Sequence, residues 1–386
     1  MQNVAMNGDQ AIANAWKQID PDMVASYPIT PQTIIVELYS EFVADGLVNT
    51  EYVCAESEHS AMSLCIGASA AGARVCTATA SAGLAFMWET LYIASGMRLP
   101  IVMAVANRAL SGPINIHCDH SDAMGARDAG WIQVYAENVQ EAYDNTVMAF
   151  RIAEHMDVRL PMMTCLDGFI TTHSLERFQM LEDDVVKKFV GEFRTKHALL
   201  DIKNPVTMGP FDWTDYYFEH KYQQAQAMLK VPGIARAVAE EFHAVSGREY
   251  DLVEPYKLDD ADYAVVAMGS TAGTLKEIVD GLRAEGKKVG SLKVRLFRPF
   301  PHDDITKALE GLKGVAVMDR ALSIGSTGPM FPEVRSALYE SDARPRLTNY
   351  VYGLGGRDVR PDELRSVYKA LMSNEGETFN FLGVRA

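Results

Sequence analysis

The loop IHCDHSD, residues 116–122, holds the densest group of side chains that could do chemistry. Within these seven residues lie His117, Asp119, His120 and Asp122. Imidazole and carboxylate groups are common ligands of protein-bound metals, so the loop taken alone could bind a metal ion. An active-site loop without a metal is the alternative, and the residue types do not separate the two.

A second candidate is the corner YPITP, residues 27–31, where two prolines flank Ile29 and Thr30. Apolar residues on both sides indicate a buried strand before the corner and a helix after it. Thr30 followed by Pro31 has the form of a helix start, with threonine as the cap and proline at the first helical position. In parallel α/β sheets such a corner lies at the carboxyl end of a strand, where ligands bind. The corner is therefore either only a capped helix or one wall of a site.

The elements that must position these residues alternate between buried strands and helices. Strands that are apolar on both faces favour a parallel sheet covered by helices on both sides. The alternation of such strands with helices therefore predicts an α/β fold. Apolar runs predict strands at 22–27, 51–55, 73–78, 100–106 and 161–167. Helical periodicity predicts helices at 8–18, 31–44 and 139–156, with two more that begin near 57 and at Ser81.

A second α/β unit is predicted near the carboxyl terminus. Between residues 180 and 258 aromatic and charged residues mix, with helices at 216–229 and 232–245, which is typical of a connecting segment on a core. After it, strands at 263–270, 287–297 and 314–320 and a helix at 271–286 are predicted. We therefore expect two domains, residues 1–245 and 258–386.

Composition narrows the classes of function. The net charge of −15 argues against nucleic acid or an anionic membrane as a partner. The sequence MQNVAMNGDQ has neither the basic region nor the apolar core of a signal peptide, so a cytoplasmic location is expected. The five cysteines contain no C-x-x-C pair, which fits reduced thiols and predicts that this chain alone holds no iron–sulfur cluster.

Several segments in order resemble one enzyme family. The chain is similar to the α subunit of pyruvate:ferredoxin oxidoreductase and its relatives, the thiamine-diphosphate-dependent 2-oxoacid:ferredoxin oxidoreductases. The resemblance covers nearly the whole chain. The segments that carry it are YPITP, ESEHSAMS at 56–63, TASAGLAFMWE at 79–89, the run 107–144 from NRALSGPINIHCDHSD onward, LDGF at 166–169, PGIARAV at 232–238, MGSTAGTLKEIVDGL at 268–282, VRLFRPFP at 294–301 and YGLGGRD at 352–358.

The resemblance implies a fold, cofactors and partners. The fold would be a parallel-sheet domain that binds the pyrimidine end of thiamine diphosphate, followed by a smaller α/β domain like the transketolase C-terminal domain. A β subunit would bind the diphosphate and Mg²⁺, and γ and ferredoxin-like δ subunits with 4Fe–4S clusters would complete the enzyme. Coenzyme A would be the co-substrate, and ferredoxin or another carrier would accept the electrons. The sequence agrees with a separate β subunit for the diphosphate and Mg²⁺, because it lacks the G-D-G motif that the family uses to bind them.

Three residues match the family's catalytic and substrate-binding positions. Glu58 matches the glutamate whose carboxyl group hydrogen bonds to the aminopyrimidine ring and activates the cofactor, with Glu56 as the alternative. Arg108 matches the arginine that binds the substrate carboxylate, with a structural salt bridge as the alternative. Thr30 matches the threonine that reaches the substrate carboxylate or keto oxygen, and a hydroxyl group can do this while it caps a helix.

Other positions follow from the same resemblance. Tyr27 and Pro28 are expected to shape the wall of the pocket. Ser81 and Gly83 are expected to support the pyrimidine ring, with a cap followed by a flexible turn as the equal alternative.

The resemblance also bears on the loop 116–122. Relatives carry a related active-site loop without a metal, so we expect no metal ligands here and a substrate-binding role for His120. Cys118 stands where relatives often have glycine, which leaves the local backbone open.

The predicted reaction is the oxidative decarboxylation of pyruvate with coenzyme A to acetyl-CoA and CO2, with electrons passed to ferredoxin. Branched-chain or aryl 2-oxoacids, such as 2-oxoisovalerate or phenylglyoxylate, are alternative substrates. A non-redox thiamine-dependent decarboxylase or transketolase-like subunit is an alternative reaction class. A catalytically silent structural subunit is a third possibility, against which Glu58 and Arg108 argue.

Overall fold

The computed structural model describes residues 1–339, 341 and 344–385. Within these residues the chain forms fifteen strands. They are β1 (Gln2–Met6), β2 (Met23–Ser26), β3 (Glu51–Cys54), β4 (Val75–Thr79), β5 (Val102–Asn107), β6 (Ile132–Tyr135), β7 (Met162–Asp167), β8 (Glu176–Met180), β9 (Val253–Tyr256), β10 (Tyr263–Ala267), β11 (Val289–Val294), β12 (Leu296–Arg298), β13 (Gly314–Asp319), β14 (Arg346–Val351) and β15 (Phe379–Phe381).

Thirteen α-helices connect or cover these strands in the same described ranges. They are α1 (Gly8–Ile19), α2 (Thr33–Ala44), α3 (Glu58–Ala71), α4 (Ser81–Phe86), α5 (Trp88–Gly96), α6 (Ser121–Gly125), α7 (Val139–Glu154), α8 (Asp183–Val190), α9 (Tyr217–Ser246), α10 (Thr271–Ala284), α11 (His302–Leu309), α12 (Met330–Tyr339) and α13 (Pro361–Met372). A short 3₁₀ helix spans Leu354–Gly356.

The first sheet has seven strands in the order β12-β6-β7-β5-β4-β2-β3. All its pairings are parallel except that of β12 with β6. Every residue of β4, β5, β6 and β7 is buried, as expected for strands covered by helices on both faces. The predicted α/β fold with a parallel sheet is confirmed.

The second sheet has six strands in the order β15-β14-β13-β10-β11-β9, parallel except at β9. Its strands end facing the first sheet. Asp167, the last residue of β7, hydrogen bonds to Ser270 after β10 and to Arg320 after β13. The carboxyl edges of the two sheets therefore meet, and loops from both can contribute to one site.

Three predicted elements were wrong in extent. The apolar run 287–297 is divided, because β11 stays in the second sheet whereas β12 crosses to pair with β6 in the first. The two helices predicted around Pro232 form the single helix α9. Val231 and Phe242 are fully buried, and this packing on the first core outweighs the helix-breaking tendency of the proline.

A buried ion cluster joins the two sheet units. Lys293 of β11 contacts Glu137 and Glu141, both at 2.6 Å, and also Glu254 of β9. The lysine side chain is 3% exposed, so removing it would leave several carboxylates close together in a poorly solvated space. The cluster therefore holds the amino end of α7 against the second sheet.

Across the ranges that the structure describes, no helix has the length and hydropathy needed to cross a lipid bilayer.

Candidate active site

Four predicted site segments lie along one edge of the first sheet. β3, β2, β4 and β5 are neighbours in this order, so their carboxyl ends lie side by side. Glu58 begins α3 after β3, and Thr30 lies in the loop after β2. Ser81 and Gly83 follow β4, and Arg108 follows β5 directly. The sheet order thus explains why residues distant in sequence can form one site.

The corner after β2 differs from the predicted helix start. α2 begins at Thr33, its N-cap position is Gln32, and no side chain caps it. The peptide bond between Thr30 and Pro31 is cis, and a turn separates Thr30 from the helix. The prediction that Thr30 caps the helix is therefore wrong. Gln32 fixes the turn instead, because its Nε2 donates a hydrogen bond of 2.9 Å to the carbonyl of Tyr27.

The side chain of Thr30 is free to face a ligand. Thr30 and Pro28 are exposed, and Tyr27 is half-buried. The Thr30 hydroxyl has no hydrogen-bond partner within the described ranges, whereas the Thr30 carbonyl accepts a hydrogen bond from Arg108. The corner therefore lies directly against the arginine after β5.

Backbone carbonyls orient the guanidinium of Arg108. Its Nε donates to the Asn115 carbonyl at 2.9 Å, and its Nη1 donates to the Thr30 carbonyl at 3.0 Å. Arg108 is 7% exposed and forms no ion pair with any residue in the described part of the chain. Its Nη2 likewise has no acceptor there. A charged donor held in place without a counter-ion is suited to bind a carboxylate.

Asp122 connects the loops after β4 and β5. Its Oδ2 accepts backbone N–H groups of Ser81 and Arg108, both at 2.9 Å. Its Oδ1 accepts from Asn107 Nδ2 at 2.8 Å and from the Ala123 N–H at 2.7 Å. Burial raises the pKa of Asp122 to about 6 despite these donors. The carboxylate thus fixes the backbone of Arg108, while the carbonyls of Asn115 and Thr30 fix its side chain.

Glu58 faces Gly83 at very short range. A β-carbon on Gly83 would lie 2.6 Å from Glu58 Oε1 and 2.6 Å from Thr79 Oγ1. The structure therefore tolerates only glycine at residue 83 while these two oxygens keep their positions. Glu58 is 7% exposed, and its carboxyl group forms no hydrogen bond within the residues that the structure describes. By contrast, Glu56 is exposed and bonded to Ser60.

These oxygen atoms fit the aminopyrimidine ring that the resemblance implies. The Thr79 hydroxyl is buried and has no hydrogen-bond partner among the residues that the structure describes. Buried polar atoms are rarely left unpaired, so an unpaired hydroxyl beside an unpaired carboxyl group indicates a ligand with polar edges. Glu58, Thr79 and Gly83 are therefore the residues suited to hold such a ring.

Ser81 has a structural position. It is fully buried, with φ of 49°, and its hydroxyl donates to the carbonyl of Ala109. Its N–H group is bound by Asp122. Both polar groups are used within the protein, so Ser81 joins the loop after β4 to the loop after β5.

His120 lies in the contact between the two sheets. Its ring is 1% exposed, and its Nε2 is 2.7 Å from Asp167 Oδ1. Arg320 and Ser270 bind the other Asp167 oxygen. Burial would raise the pKa of Asp167, but His120 and Arg320 outweigh it and hold the pKa below its ordinary value. The His120 ring thus contacts Asp167, whereas Arg108 contacts the Thr30 carbonyl.

Cys118, His120 and Asp167 bring three possible metal-ligand atoms within 4.8 Å of one another. Arg320 already supplies positive charge to this group, since its Nη1 lies 2.8 Å from Asp167 Oδ2 and 3.7 Å from Cys118 Sγ. Burial raises the pKa of the Cys118 thiol well above its ordinary value. The group is therefore better suited to join the sheets than to bind a cation.

Two residues important to this geometry were not identified from the sequence. Asp122 was noted only as a possible ligand in the loop 116–122, and Thr79 was not singled out at all. Thr79 is the last residue of the buried strand β4, and this place at the carboxyl end of a strand is the signal that could have identified it. An aspartate in the first turn of α6 could have suggested a carboxylate that binds backbone N–H groups, but not which ones.

Family models match most of the chain. Residues 14–240 match the model described as pyruvate flavodoxin/ferredoxin oxidoreductase, thiamine diP-bdg. Residues 261–364 match the model described as pyruvate:ferredoxin oxidoreductase core domain II.

Several curated relatives are similar over nearly their whole length. The chain is 55% identical to pyruvate synthase subunit PorA of Thermotoga maritima, over 100% of this chain and 99% of that one. It is 48% identical to pyruvate synthase subunit PorA of Methanocaldococcus jannaschii, over 98% of this chain and 97% of that one. It is 43% identical to ketoisovalerate oxidoreductase subunit VorA of Pyrococcus abyssi, over 94% and 91%.

Solved structures share the fold. The 2-oxoglutarate:ferredoxin oxidoreductase from Magnetococcus marinus, with 2-oxoglutarate, coenzyme A and succinyl-CoA bound, matches with a TM-score of 0.75 at 20% identity. The match covers 96% of this chain but only 65% of that longer one. A split gene transketolase matches with a TM-score of 0.55 at 12% identity, over 95% and 98%.

Proposed function

The chain belongs to the pyruvate flavodoxin/ferredoxin oxidoreductase family, and we propose that it is the α subunit of a pyruvate:ferredoxin oxidoreductase. The reaction is oxidative decarboxylation: pyruvate and coenzyme A give acetyl-CoA and CO2, and the released electrons reduce ferredoxin. The observation that carries this proposal is the 55% identity, over the whole chain, to a pyruvate synthase subunit PorA.

Thiamine diphosphate, when bound, supplies the nucleophilic carbon that attacks the keto group and the electron sink that permits loss of CO2. Glu58 would hydrogen bond to its aminopyrimidine ring, and Gly83 would leave room for that contact. The proposal is supported by the unpaired Glu58 carboxyl group and the unpaired Thr79 hydroxyl. Tyr27 and Pro28 would form the wall of the pocket, and Ser81 would support the ring from behind through its contacts with the neighbouring loop.

Arg108 and Thr30 would bind the substrate. The free Nη2 of Arg108 would pair with the oxoacid carboxylate, and the exposed Thr30 hydroxyl would donate to a carboxylate or keto oxygen. This role is supported by the 3.0 Å contact between Arg108 Nη1 and the Thr30 carbonyl, which keeps the two residues adjacent. His120 would contribute to substrate binding indirectly, through the buried group around Asp167, because its ring is hydrogen bonded to that aspartate.

The remaining components would come from other chains. A β subunit would hold the diphosphate with Mg²⁺, and γ and ferredoxin-like δ subunits would carry 4Fe–4S clusters. The name of each curated relative as a subunit supports a multisubunit enzyme. Residues 1–245 would form the pyrimidine-binding domain, and residues 258–386 the transketolase C-terminal-like domain.

The test is a substrate panel on the purified complex. With coenzyme A present, pyruvate, 2-oxoisovalerate, phenylglyoxylate and 2-oxoglutarate are compared by the reduction of a viologen dye. We expect pyruvate to give the highest kcat/KM. The similarity to VorA keeps 2-oxoisovalerate as the second candidate, and a higher kcat/KM for that acid would replace pyruvate as the substrate. Decarboxylation without dye reduction would instead indicate a non-redox thiamine enzyme.

A further inference from the structure

The segment YGLGG of the second unit has a conformation that requires glycine. Gly353, Gly355 and Gly356 have φ values of 64°, 60° and 77°, in the left-handed region. Gly355 and Gly356 also lie very close to the loop after β5. A β-carbon on Gly355 would lie 2.5 Å from Asn115 Nδ2, and one on Gly356 would lie 2.3 Å from His117 Cβ. The segment is therefore shaped to fit the loop after β5.

Hydrogen bonds fix this contact. The Gly356 N–H donates to the Cys118 carbonyl at 2.6 Å, and the Gly355 N–H donates to Asp119 Oδ2 at 3.1 Å. In the other direction, Asn115 Nδ2 donates to the Gly355 carbonyl at 3.0 Å. These two N–H groups are therefore used within the protein and are not free to bind a phosphate.

The contact reaches Arg108 through one residue. Asn115 accepts the Arg108 Nε hydrogen bond on its own carbonyl, at 2.9 Å, while its side chain is held by Gly355. The Asn115 side-chain oxygen also accepts the His117 N–H at 2.6 Å, which closes the loop on itself. An unbroken series of hydrogen bonds thus runs from the second unit to the guanidinium of the substrate arginine.

We propose that Asn115 is a positioning residue through which the glycine segment 353–356 sets the orientation of Arg108 and so the affinity for the 2-oxoacid. This inference rests on the proposed function of Arg108. Asn115 does not touch substrate in this account; it acts on the arginine side chain. The second unit accordingly contributes to substrate binding through backbone groups of the glycine segment.

The test uses the complete multisubunit enzyme with the variants Asn115→Ala and Gly356→Ala. Loss of one positioning contact should raise the KM for pyruvate about fivefold, with kcat changed less than twofold. Gly286→Ala is the matched control, because Gly286 lies outside the segment, also has a φ of 77° and has nothing within 4 Å of its added carbon, so it should leave both constants unchanged. An unaltered KM together with a lower kcat and a lower thermal stability would overturn the proposal, since this result indicates a purely structural role.

A double variant separates this proposal from the assignment of Arg108. If Asn115 acts through Arg108, then Arg108→Ala/Asn115→Ala should have the same KM as Arg108→Ala alone. Additive increases would overturn the positioning role while leaving the arginine assignment intact. If Arg108→Ala itself left the KM unchanged, the assignment of the substrate arginine would be wrong, and the glycine segment could not act through it.

Discussion

Glu58 Oε1 lies 2.6 Å from the point that a β-carbon on Gly83 would occupy, so the glycine and the glutamate are matched in space. Because Gly83 of α4 has no side chain, the carboxyl group of Glu58 at the start of α3 can remain unpaired at the edge of the sheet. The pair joins two segments that follow different strands, β3 and β4. Its consequences can be measured separately for the chemical step and for cofactor binding.

Glu58→Gln should abolish turnover while the complex still assembles. The amide has nearly the same shape but cannot act as the acidic partner of the cofactor ring, and a loss of at least ~10²-fold in kcat is expected. Dye-linked activity and size-exclusion chromatography measure the two properties. Glu56→Gln is the control, because Glu56 is exposed and should tolerate the change. Near-normal activity of Glu58→Gln would remove the residue from the catalytic role.

Gly83→Ala should weaken thiamine diphosphate binding by at least tenfold, by an order-of-magnitude estimate for displacing one hydrogen-bonded group. The added methyl group forces Glu58 or Thr79 to move, because both contacts would be 2.6 Å. Titration of apoenzyme with the cofactor, followed by fluorescence, gives the Kd. Gly67→Ala in α3 is the matched control, since nothing lies within 4 Å of its added carbon. Equal affinity for both variants would contradict the proposed contact.

Arg108→Ala should raise the KM for pyruvate at least about tenfold, because a charge-assisted hydrogen bond to the carboxylate is lost. Arg108→Lys keeps the charge but not the fork of donors, so it should recover only part of the affinity. Steady-state kinetics with saturating coenzyme A separate KM from kcat. An unchanged KM in both variants would leave Arg108 with a structural role only.

Thr30→Val should raise the KM for pyruvate about threefold to tenfold without lowering stability, because the exposed hydroxyl caps nothing in the folded chain. Thr30→Ser keeps the hydroxyl and is expected to behave like the unmodified enzyme. Oxoacid kinetics and thermal unfolding are measured together. A stable Thr30→Val enzyme with unaltered kinetics would show that the hydroxyl does not reach the substrate.

Asp122 predicts a pH dependence of stability. Burial raises its pKa to about 6 in the folded state, above the ordinary value for an exposed aspartate. The folded state therefore binds this proton more tightly than the unfolded state, so the contribution is fully present below about pH 4 and is lost as the pH rises through about 6.

Asp122→Asn lacks this titration. Between pH 4 and 6 its free energy of unfolding should fall by about 2 kcal/mol less than that of the unmodified enzyme. Urea unfolding at several pH values across this window measures the difference. Parallel pH profiles for the two proteins would mean that Asp122 does not titrate in this range.

The order of strands explains what the sequence could predict about the site. Continuous apolar runs identify parallel strands, and polar residues after them must share the carboxyl edge. Thr30 and Arg108 follow two such runs and are therefore expected at the same edge. The 3.0 Å contact between Arg108 Nη1 and the Thr30 carbonyl agrees with this expectation. The assignment of Glu58 over Glu56 depended on the family resemblance, and burial of Glu58 favours the same choice.

Other features depend on contacts that a linear pattern does not contain. Thr30 followed by Pro31 has the local form of a helix start, but residues 30–32 form a turn and Gln32 occupies the N-cap position. Asp122 binds N–H groups from two loops far apart in sequence, so its function requires knowledge of where these loops meet. The split of the run 287–297 requires knowledge of which sheet each half joins.

Strand β12 has a consequence for the synthesis of the chain on the ribosome. Leu296 and Arg298 pair with Val134 and Gln133 and close the edge of the first sheet next to β6. When residues 1–250 have emerged, every other strand of that sheet is present, but this edge still exposes unpaired backbone groups. The amino-terminal part of a nascent or truncated chain therefore presents a surface prone to intermolecular strand pairing until a segment far downstream arrives to cover it.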